Sequence, residues 1–405
     1  MVDERKVPEG YKVTEVGIIP EEWEVIDFND CFELLPNNTF SRAELNYNCG
    51  DFKNIHYGDI LIKFPAILDC SAMEIPFINT SHVIKNNRAL VKDGDIIFAD
   101  TAEDETVGKA IEIFNAGSQK LVSGLHTIPC RPKVIFEPKW LGYYLNHSIY
   151  HDQLLPYITG TKVSAISKSS IKETKVVKPL PAEQKAIAEA LSDTDNLIQS
   201  LEKLIDKKKK IKQGAMQQLL TGKKRLPGFI EQWEIKKLGD IVSINKGQLI
   251  TEKDAQDGTI PVIAGGKKPS YYHSFPNRQG KTITISASGA NAGYVGFYTE
   301  PIFASDCSTI GENDKYSIEF IYYQLLMLQE TIYYAQTGGA QPHIHPKDLK
   351  PLLINYTNLK EQNAIAQVLS DMDAEIEALE EKLKKVKTIK QGMMQELLTG
   401  RIRLI

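Results

Sequence analysis

The chain is expected to fold as two globular segments separated by two long helices, which pair as an antiparallel coiled coil with pseudo-twofold, cyclic symmetry. Three observations lead there. Residues 183–222 (EQKAIAEALSDTDNLIQSLEKLIDKKKKIKQGAMQQLLTG) and 361–400 (EQNAIAQVLSDMDAEIEALEEKLKKVKTIKQGMMQELLTG) are two copies of one stretch, at a gapless offset of 178 with 24 identical positions. A tryptophan lead-in also recurs, Glu21-Glu22-Trp23-Glu24-Val25 against Glu231-Gln232-Trp233-Glu234-Ile235, at an offset of 210. Between these anchors the two sequences differ almost throughout, so the scaffold is duplicated and the cargo is not. Internal repetition at a fixed period governs architecture wherever it occurs.

The elements follow in chain order. Residues 1–22 form a lead-in, whose opening MVDERKVPEG is charged and lacks the apolar stretch of a signal peptide. Residues 23–180 form the first globular segment, ending near ThrGlyThrLysValSerAlaIle (159–166). Residues 181–222 form the first long helix. Residues 223–357 form the second segment, about 32 residues shorter between its tryptophan lead-in and its Thr-Gly run, ThrGlyGlyAlaGlnProHisIle (337–344), which stands at the same offset of 178. A fainter echo sets the run from Gly94 against the run from Gly280. Residues 358–405 form the second long helix and a tail, Arg403-Leu404-Ile405, which stops where Arg225-Leu226-Pro227 would lead into another unit. The matching lead-in sits at the N-terminus, so this is a circle cut open, and its two ends are expected side by side.

Both helices carry apolar residues alternately four and three apart, the mark of a coiled-coil seam. The seam runs through Ile187, Leu191, Ile198, Leu201, Ile205, Ala215 and Leu219 in the first copy, interrupted by Thr194, Lys208 and Lys212. In the second it runs through Ile365, Leu369, Met372, Ile376, Leu379, Leu383, Val386, Met393 and Leu397, broken at Lys390. Forty helical residues make a rod of roughly 60 Å. Gly214 and Gly392 fall inside the helices, which suggests a close backbone approach, to the other helix or a partner, or a kink. Gly222 and Gly400 suit the left-handed position that ends a helix.

Composition bounds the class. A 405-residue chain with 25% charged and 42% apolar residues is ordinary for a soluble protein of two or three domains. No run of apolar residues is long enough to span a membrane. Five cysteines without a C-x-x-C pair fit reduced thiols and a cytoplasmic location. The net charge of −4 implies weak DNA binding by the chain alone, with partners supplying part of the cationic surface.

The sequence shows no engine. It lacks a phosphate-cradling G-x-x-x-x-G-K-[ST] loop, a G-x-G-x-x-G fingerprint and an Asn/Asp-Pro-Pro-Tyr/Phe run. His147 and His151 on a helix turn, and His343 and His345 in a loop, read as polar contacts, because neither pair has an evident third metal ligand. Glu173-x-Lys175 and Glu234-x-Lys236 match half a nuclease motif, as most charged chains do. No catalytic residue, metal site or cofactor is assigned to this chain.

The repeated helices, the tryptophan lead-ins and the Thr-Gly segments resemble the DNA specificity subunit of type I restriction–modification systems over essentially the whole chain. Gly10-Tyr11-Lys12…Glu15-x-Gly17…Ile19-Pro20-Glu21-Glu22-Trp23 looks like that family's opening, and Glu183-Gln184…Ile187-Ala188 with the Leu-Leu-Thr-Gly endings looks like its conserved helices. The resemblance implies two target-recognition domains of mixed α/β (α+β) fold at opposite ends of an antiparallel helix pair, each reading half of a split, asymmetric DNA sequence. It further implies two methyltransferase subunits, which use S-adenosylmethionine, and two motor–nuclease subunits, which use ATP and magnesium. The specificity subunit itself is then non-catalytic. A four-residue insertion in one helix is expected to lengthen the gap between half-sites without altering either half.

Base reading needs donors and acceptors on loops held by strands or helix ends. In the first segment the candidates are Asn79, Ser81, His82, Lys85, Thr101, Lys109, Thr161, Lys162 and Ser164. In the second they are Lys246, Lys267, Lys268, Ser286, Ser288, Asn291, Gln341 and His343, with Tyr271-Tyr272 beside them. The Thr-Gly segments stand out because they recur at one distance from the helix. Three rivals remain open: a specificity protein of a methylation-only or related defense system, a coiled-coil adaptor that ignores DNA, and a stand-alone nuclease.

Overall fold

A computed structural model describes residues 7–79, 89–160, 162–338 and 341–404. The chain divides into two compact units, residues 1–200 with 383–405 and residues 201–382. Each unit therefore holds one head, half of the first long helix (Pro181–Leu219) and half of the second (Leu359–Leu397).

In the first unit the central sheet has five strands, in the order Phe32–Leu34, Thr127–Pro132, Ile96–Ala99, Ala110–Phe114 and Ile67–Asp69. All neighbours are antiparallel except the last pair. The middle strand, Ile96-Ile97-Phe98-Ala99, is buried on both faces, which explains its unbroken apolar run. A second five-stranded sheet packs beside it.

The second unit repeats the kernel of that sheet. Cys307–Gly311, Thr282–Ser286 and Val295–Tyr298 stand in the same order and the same antiparallel sense as Thr127–Pro132, Ile96–Ala99 and Ala110–Phe114. The echo between the runs from Gly94 and Gly280 thus falls on the same central strand. Pairing of Ala99 with Thr127 and of Ser286 with Cys307 shows the echo to be one residue out of step. A three-stranded sheet completes this head. Each unit is closed by a two-stranded ribbon, Glu24–Asp27 with Lys175–Lys178 and Glu234–Lys237 with Leu353–Tyr356. These ribbons are the repeated tryptophan lead-ins, paired with the strand that feeds the long helix.

The long helices run antiparallel within each unit. In the second, Lys208 reaches Glu375 at 2.5 Å while Lys212 pairs with Asp373. In the first, Lys390 reaches Asp195 at 2.6 Å and Thr194 donates to the Met393 sulfur at 3.7 Å. Ile187, Leu191 and Leu397 are buried in one head's core with Met393 packed on it; Leu219, Ile365 and Leu369 are buried in the other's with Met372 on it. Leu201, Ile205, Ile376 and Val386 are buried as well, whereas Ile198, Leu379 and Leu383 are half-buried.

The residues that interrupt the seam are fasteners. Lys390 bonds Asp195 and lies 5.5 Å from the Tyr143 ring centre, and the Tyr143 hydroxyl donates to Asp195 at 2.8 Å. Lys212 repeats this with Asp373 and Tyr323: the ring lies 5.3 Å away and the hydroxyl donates at 2.8 Å. Both tyrosine pKa values are raised, first by burial and then by the neighbouring carboxylate. Gly214 and Gly392 sit in unbroken helix, and nothing approaches within 4 Å of where a Cβ would stand. Close approach to the other helix is absent at both glycines among the described residues.

Both helices end on one cap. Gly222 and Gly400 adopt φ of 69° and 71°. The amide two residues further on closes back onto the helix, Lys224 to the Gln218 carbonyl at 3.1 Å and Ile402 to Glu396 at 3.2 Å.

Candidate nucleic-acid interface

Each head is bolted to its helix by a three-residue lock. In the first unit the Trp23 indole donates to Glu183 at 2.7 Å, and Arg403 donates to the same carboxylate at 2.9 Å and to Glu22 at 2.9 Å. In the second, Trp233 donates to Glu361 at 3.0 Å and Arg225 does so at 2.5 and 2.7 Å. Both carboxylates are fully buried, in the first turn of their helices, where the dipole favours them. Burial alone would raise the Glu361 pKa, but Arg225, Thr357 and Trp233 outweigh it and hold it below the ordinary glutamate value. The first lock also joins the two chain ends, since Tyr11 donates to the Gly400 carbonyl at 2.8 Å.

A second correspondence appears in the loops of each head. In the first unit the Asp100 amide donates to His126 at 3.1 Å, Ile166 to Asp100 at 2.8 Å, and Thr159 and Ala165 exchange bonds at 3.0 and 2.8 Å. In the second, Ala287 donates to Asp306 at 3.1 Å, Ile344 to Ala287 at 2.9 Å, and Thr337 and His343 exchange bonds at 2.9 and 2.8 Å. Thr101 is bridged to Ala165 as Ser288 is to His343. The backbone frame is shared; the side chains on it are not. Thr101 donates to Asp100 at 2.8 Å and lies 3.4 Å from His126. Ser288 donates to Asp306, at the mouth of a cleft of about 390 Å³ lined also by Lys246 and His343.

This frame explains why Thr-Gly recurs. Gly160 and Gly338 sit at φ of 107° and 93°, and a Cβ at either would stand 1.9 Å from the Val163 carbonyl oxygen or 2.7 Å from that of Gln341. The repeat marks a turn that needs glycine.

The other candidates are scattered. Ser81, His82, Lys85 and Thr161 lie outside the described residues. Lys162, Lys246, Lys267, Lys268 and Gln341 are exposed, and Ser164 and Asn291 half-exposed. Asn79 accepts from Asn46 at 2.8 Å. Two are turned inward: the Lys109 ammonium donates to the Leu61 and Phe64 carbonyls at 3.2 and 3.1 Å, with its pKa lowered by burial, and Ser286 is buried in its strand. Ser286 ends the strictly alternating run Thr282-Ile283-Thr284-Ile285-Ser286, but that strand is buried on both faces, so its period does not mark exposure. Tyr271 is tied to the Ile250 carbonyl at 2.5 Å, and Tyr272 is exposed. The histidine pairs have structural partners: His147 caps the Ile149 amide, His151 meets the Val107 carbonyl at 2.8 Å, and His343 stacks on His345. Asp100, His126 and Asp306 were not among the sequence candidates, because an acidic or lone histidine side chain carries no signal for phosphate.

This duplicated scaffold with unlike heads defines a family. The model for the type I restriction modification DNA specificity domain matches residues 20–213 and 230–388, and the chain belongs to that family. A putative type I restriction enzyme MjaX specificity subunit of Methanocaldococcus jannaschii is 28% identical, over 98% of this chain and 97% of that protein. The MjaVIII specificity subunit of the same organism is 24% identical, over 95% and 94%. The fold is shared with the crystal structure of a type I restriction–modification S subunit from M. genitalium (TM-score 0.65, 16% identity, 93% of this chain and 96% of that one). It is shared too with a chain from work on complex assembly and conformational transition of the type I R-M system (TM-score 0.55, 18% identity, 95% and 99%). DNA target recognition is accordingly this chain's function. No helix among the described residues is long and apolar enough to cross a membrane.

Proposed function

We propose that this chain reads a two-part, asymmetric DNA sequence, one half by each unit, and that the two long helices set the gap between the halves. The observation that carries this reading is the doubled lock. Identical chemistry fastens two unlike heads to one pair of continuous helices, so the heads are interchangeable parts and the helices the constant one. Half-sites about one helical turn apart, roughly 34–36 Å, would keep both readers on one face of the duplex.

Catalysis then resides on partners: two methyltransferase subunits that modify adenine with S-adenosylmethionine, and two motor–nuclease subunits that use ATP and magnesium. Support for two like methyltransferases comes from the helix surface. Ile211 and Ile389 occupy equivalent positions, 47% and 56% exposed, each one turn before an open glycine, Gly214 or Gly392. Residues three apart on a helix share a face, so the same apolar, close-approach patch occurs once on each helix.

The test is genome-wide sequencing of methylated adenines in cells with and without this protein. The expected result is one split, asymmetric motif that loses its methylation when the protein is absent. A methylation pattern indifferent to the protein would refute the reading.

A further inference from the structure

Resting on that reading, we propose that three positions on the shared frame of each head are its base-reading contacts. They are the residue heading the last sheet strand (His126 or Asp306), the hydroxyl on the loop beside it (Thr101 or Ser288) and the hairpin residue bridged to that hydroxyl's backbone (Ala165 or His343). In the second unit the Asp306 carboxylate accepts a hydrogen bond from an exocyclic amine of cytosine or adenine.

The first argument is the pattern of sameness and difference. The two heads keep the same backbone bonds here, from the strand end to the Thr-Gly turn. A frame held in common while its surface side chains change chemistry is what two readers of different half-sites require. Around the locks the opposite holds, where the frame and the tryptophan, glutamate and arginine are all retained. Reading therefore resides on the frame that varies.

The second argument is unsatisfied capacity. An ionised carboxylate accepts about four hydrogen bonds. Among the described residues, Asp306 takes a side-chain bond from Ser288 only, and it has no ion-pair partner. It is half-buried at the mouth of the cleft. The His343 ring, in the same cleft, stacks on His345 with 6.3 Å between centres and makes no side-chain hydrogen bond among the described residues. In the first unit Asp100 and Thr101 hold the Nδ1 side of His126 at 3.3 and 3.4 Å, and the His126 side chain is 47% exposed. Exposed Lys246 on the cleft wall offsets the repulsion a lone carboxylate would feel near phosphates. A carboxylate in a groove reads cytosine N4 or adenine N6, because those are the donors of the major groove.

The experiment is selection from a randomised duplex pool at low ionic strength, using the full-length chain, Asp306→Ala, the near-isosteric Asp306→Asn and His126→Ala. Asp306→Ala is expected to lower discrimination about tenfold or more at one base pair of one half-site. Asp306→Asn should change the base preferred there, since an amide presents a donor as well as an acceptor. In both, the other half-site stays as in the parent, and His126→Ala relaxes that other half alone. If the parent enriches a split sequence and Asp306→Ala and Asp306→Asn enrich it unchanged, this assignment is overturned while the two-part reading stands. If the parent enriches one continuous sequence instead of two separated halves, the two-part reading itself fails, and this assignment with it.

Discussion

Exchanging residues 231–350 for the matching head of another family member is expected to change one half of the recognised sequence and leave the other half intact. The second head has its own core, from Leu238 through Ile283, Ile285 and Ile310 to Ile354. Its fastening points lie partly outside the exchanged segment: Arg225, Glu361, Lys212 and Asp373 stay with the recipient. The incoming head must therefore supply a tryptophan for Trp233, an aromatic ring for Phe320, which meets that indole edge-on at 6.1 Å, and a tyrosine for Tyr323. Given those three, the new head seats on the old helices. Each mismatched base pair costs about 1–3 kcal/mol, so a wholly replaced half-site loses its former preference outright. Binding-site selection on the chimera measures this, and alteration of both halves would count against independent readers.

Removing the buried carboxylate of a lock should have the largest effect on stability. Glu361→Ala leaves the largely buried Arg225 guanidinium without its partner and strips Trp233 and Thr357 of their acceptor. Breaking a buried pair from one side costs about 3 kcal/mol, a large share of the 5–15 kcal/mol that holds a typical domain together. Denaturant unfolding at neutral pH measures the loss, and Glu183→Ala should mirror it. Acid supplies an internal check. The Glu361 pKa is lower folded than unfolded, so its contribution is present above the ordinary glutamate value and is lost as pH falls through the lowered one. The deficit of Glu361→Gln relative to the parent should therefore shrink at acid pH. A deficit equal at all pH values would mean that the charge of Glu361 does not matter.

The scaffold was legible in the sequence because its constraints are repeated word for word. Trp23 and Trp233, Glu183 and Glu361, and Arg403 and Arg225 can each be located by register alone, and so can the cyclic closure of the chain ends. Their joint role was not, since an indole, a carboxylate and a guanidinium far apart in the chain show no contact until the strands and helices are in place. Lys212 and Lys390 look like flaws in an apolar seam, yet the same register that locates the helices makes them a matched pair facing Asp373 and Asp195. The reading surface was the least legible. Thr159-Gly160 and Thr337-Gly338 recur for the sake of backbone geometry, while the residues that differ between the heads, His126 and Asp306, leave no repeat to find. Lys109 and Ser286 carry the right chemistry but are turned inward; the alternation of Thr282–Ser286 gives no warning, because that strand is buried on both faces.

The most direct test of the central claim is a matched insertion of seven residues into both long helices, after Ser200 and after Lys382. One heptad preserves the apolar seam and adds about 10 Å to each helix, equal to about three base pairs at 3.4 Å each. Methylated-adenine sequencing should then show both half-sites unchanged and the gap between them longer by about that amount. An unaltered gap, or a change in the bases of either half, would show that the helices do not set the spacing.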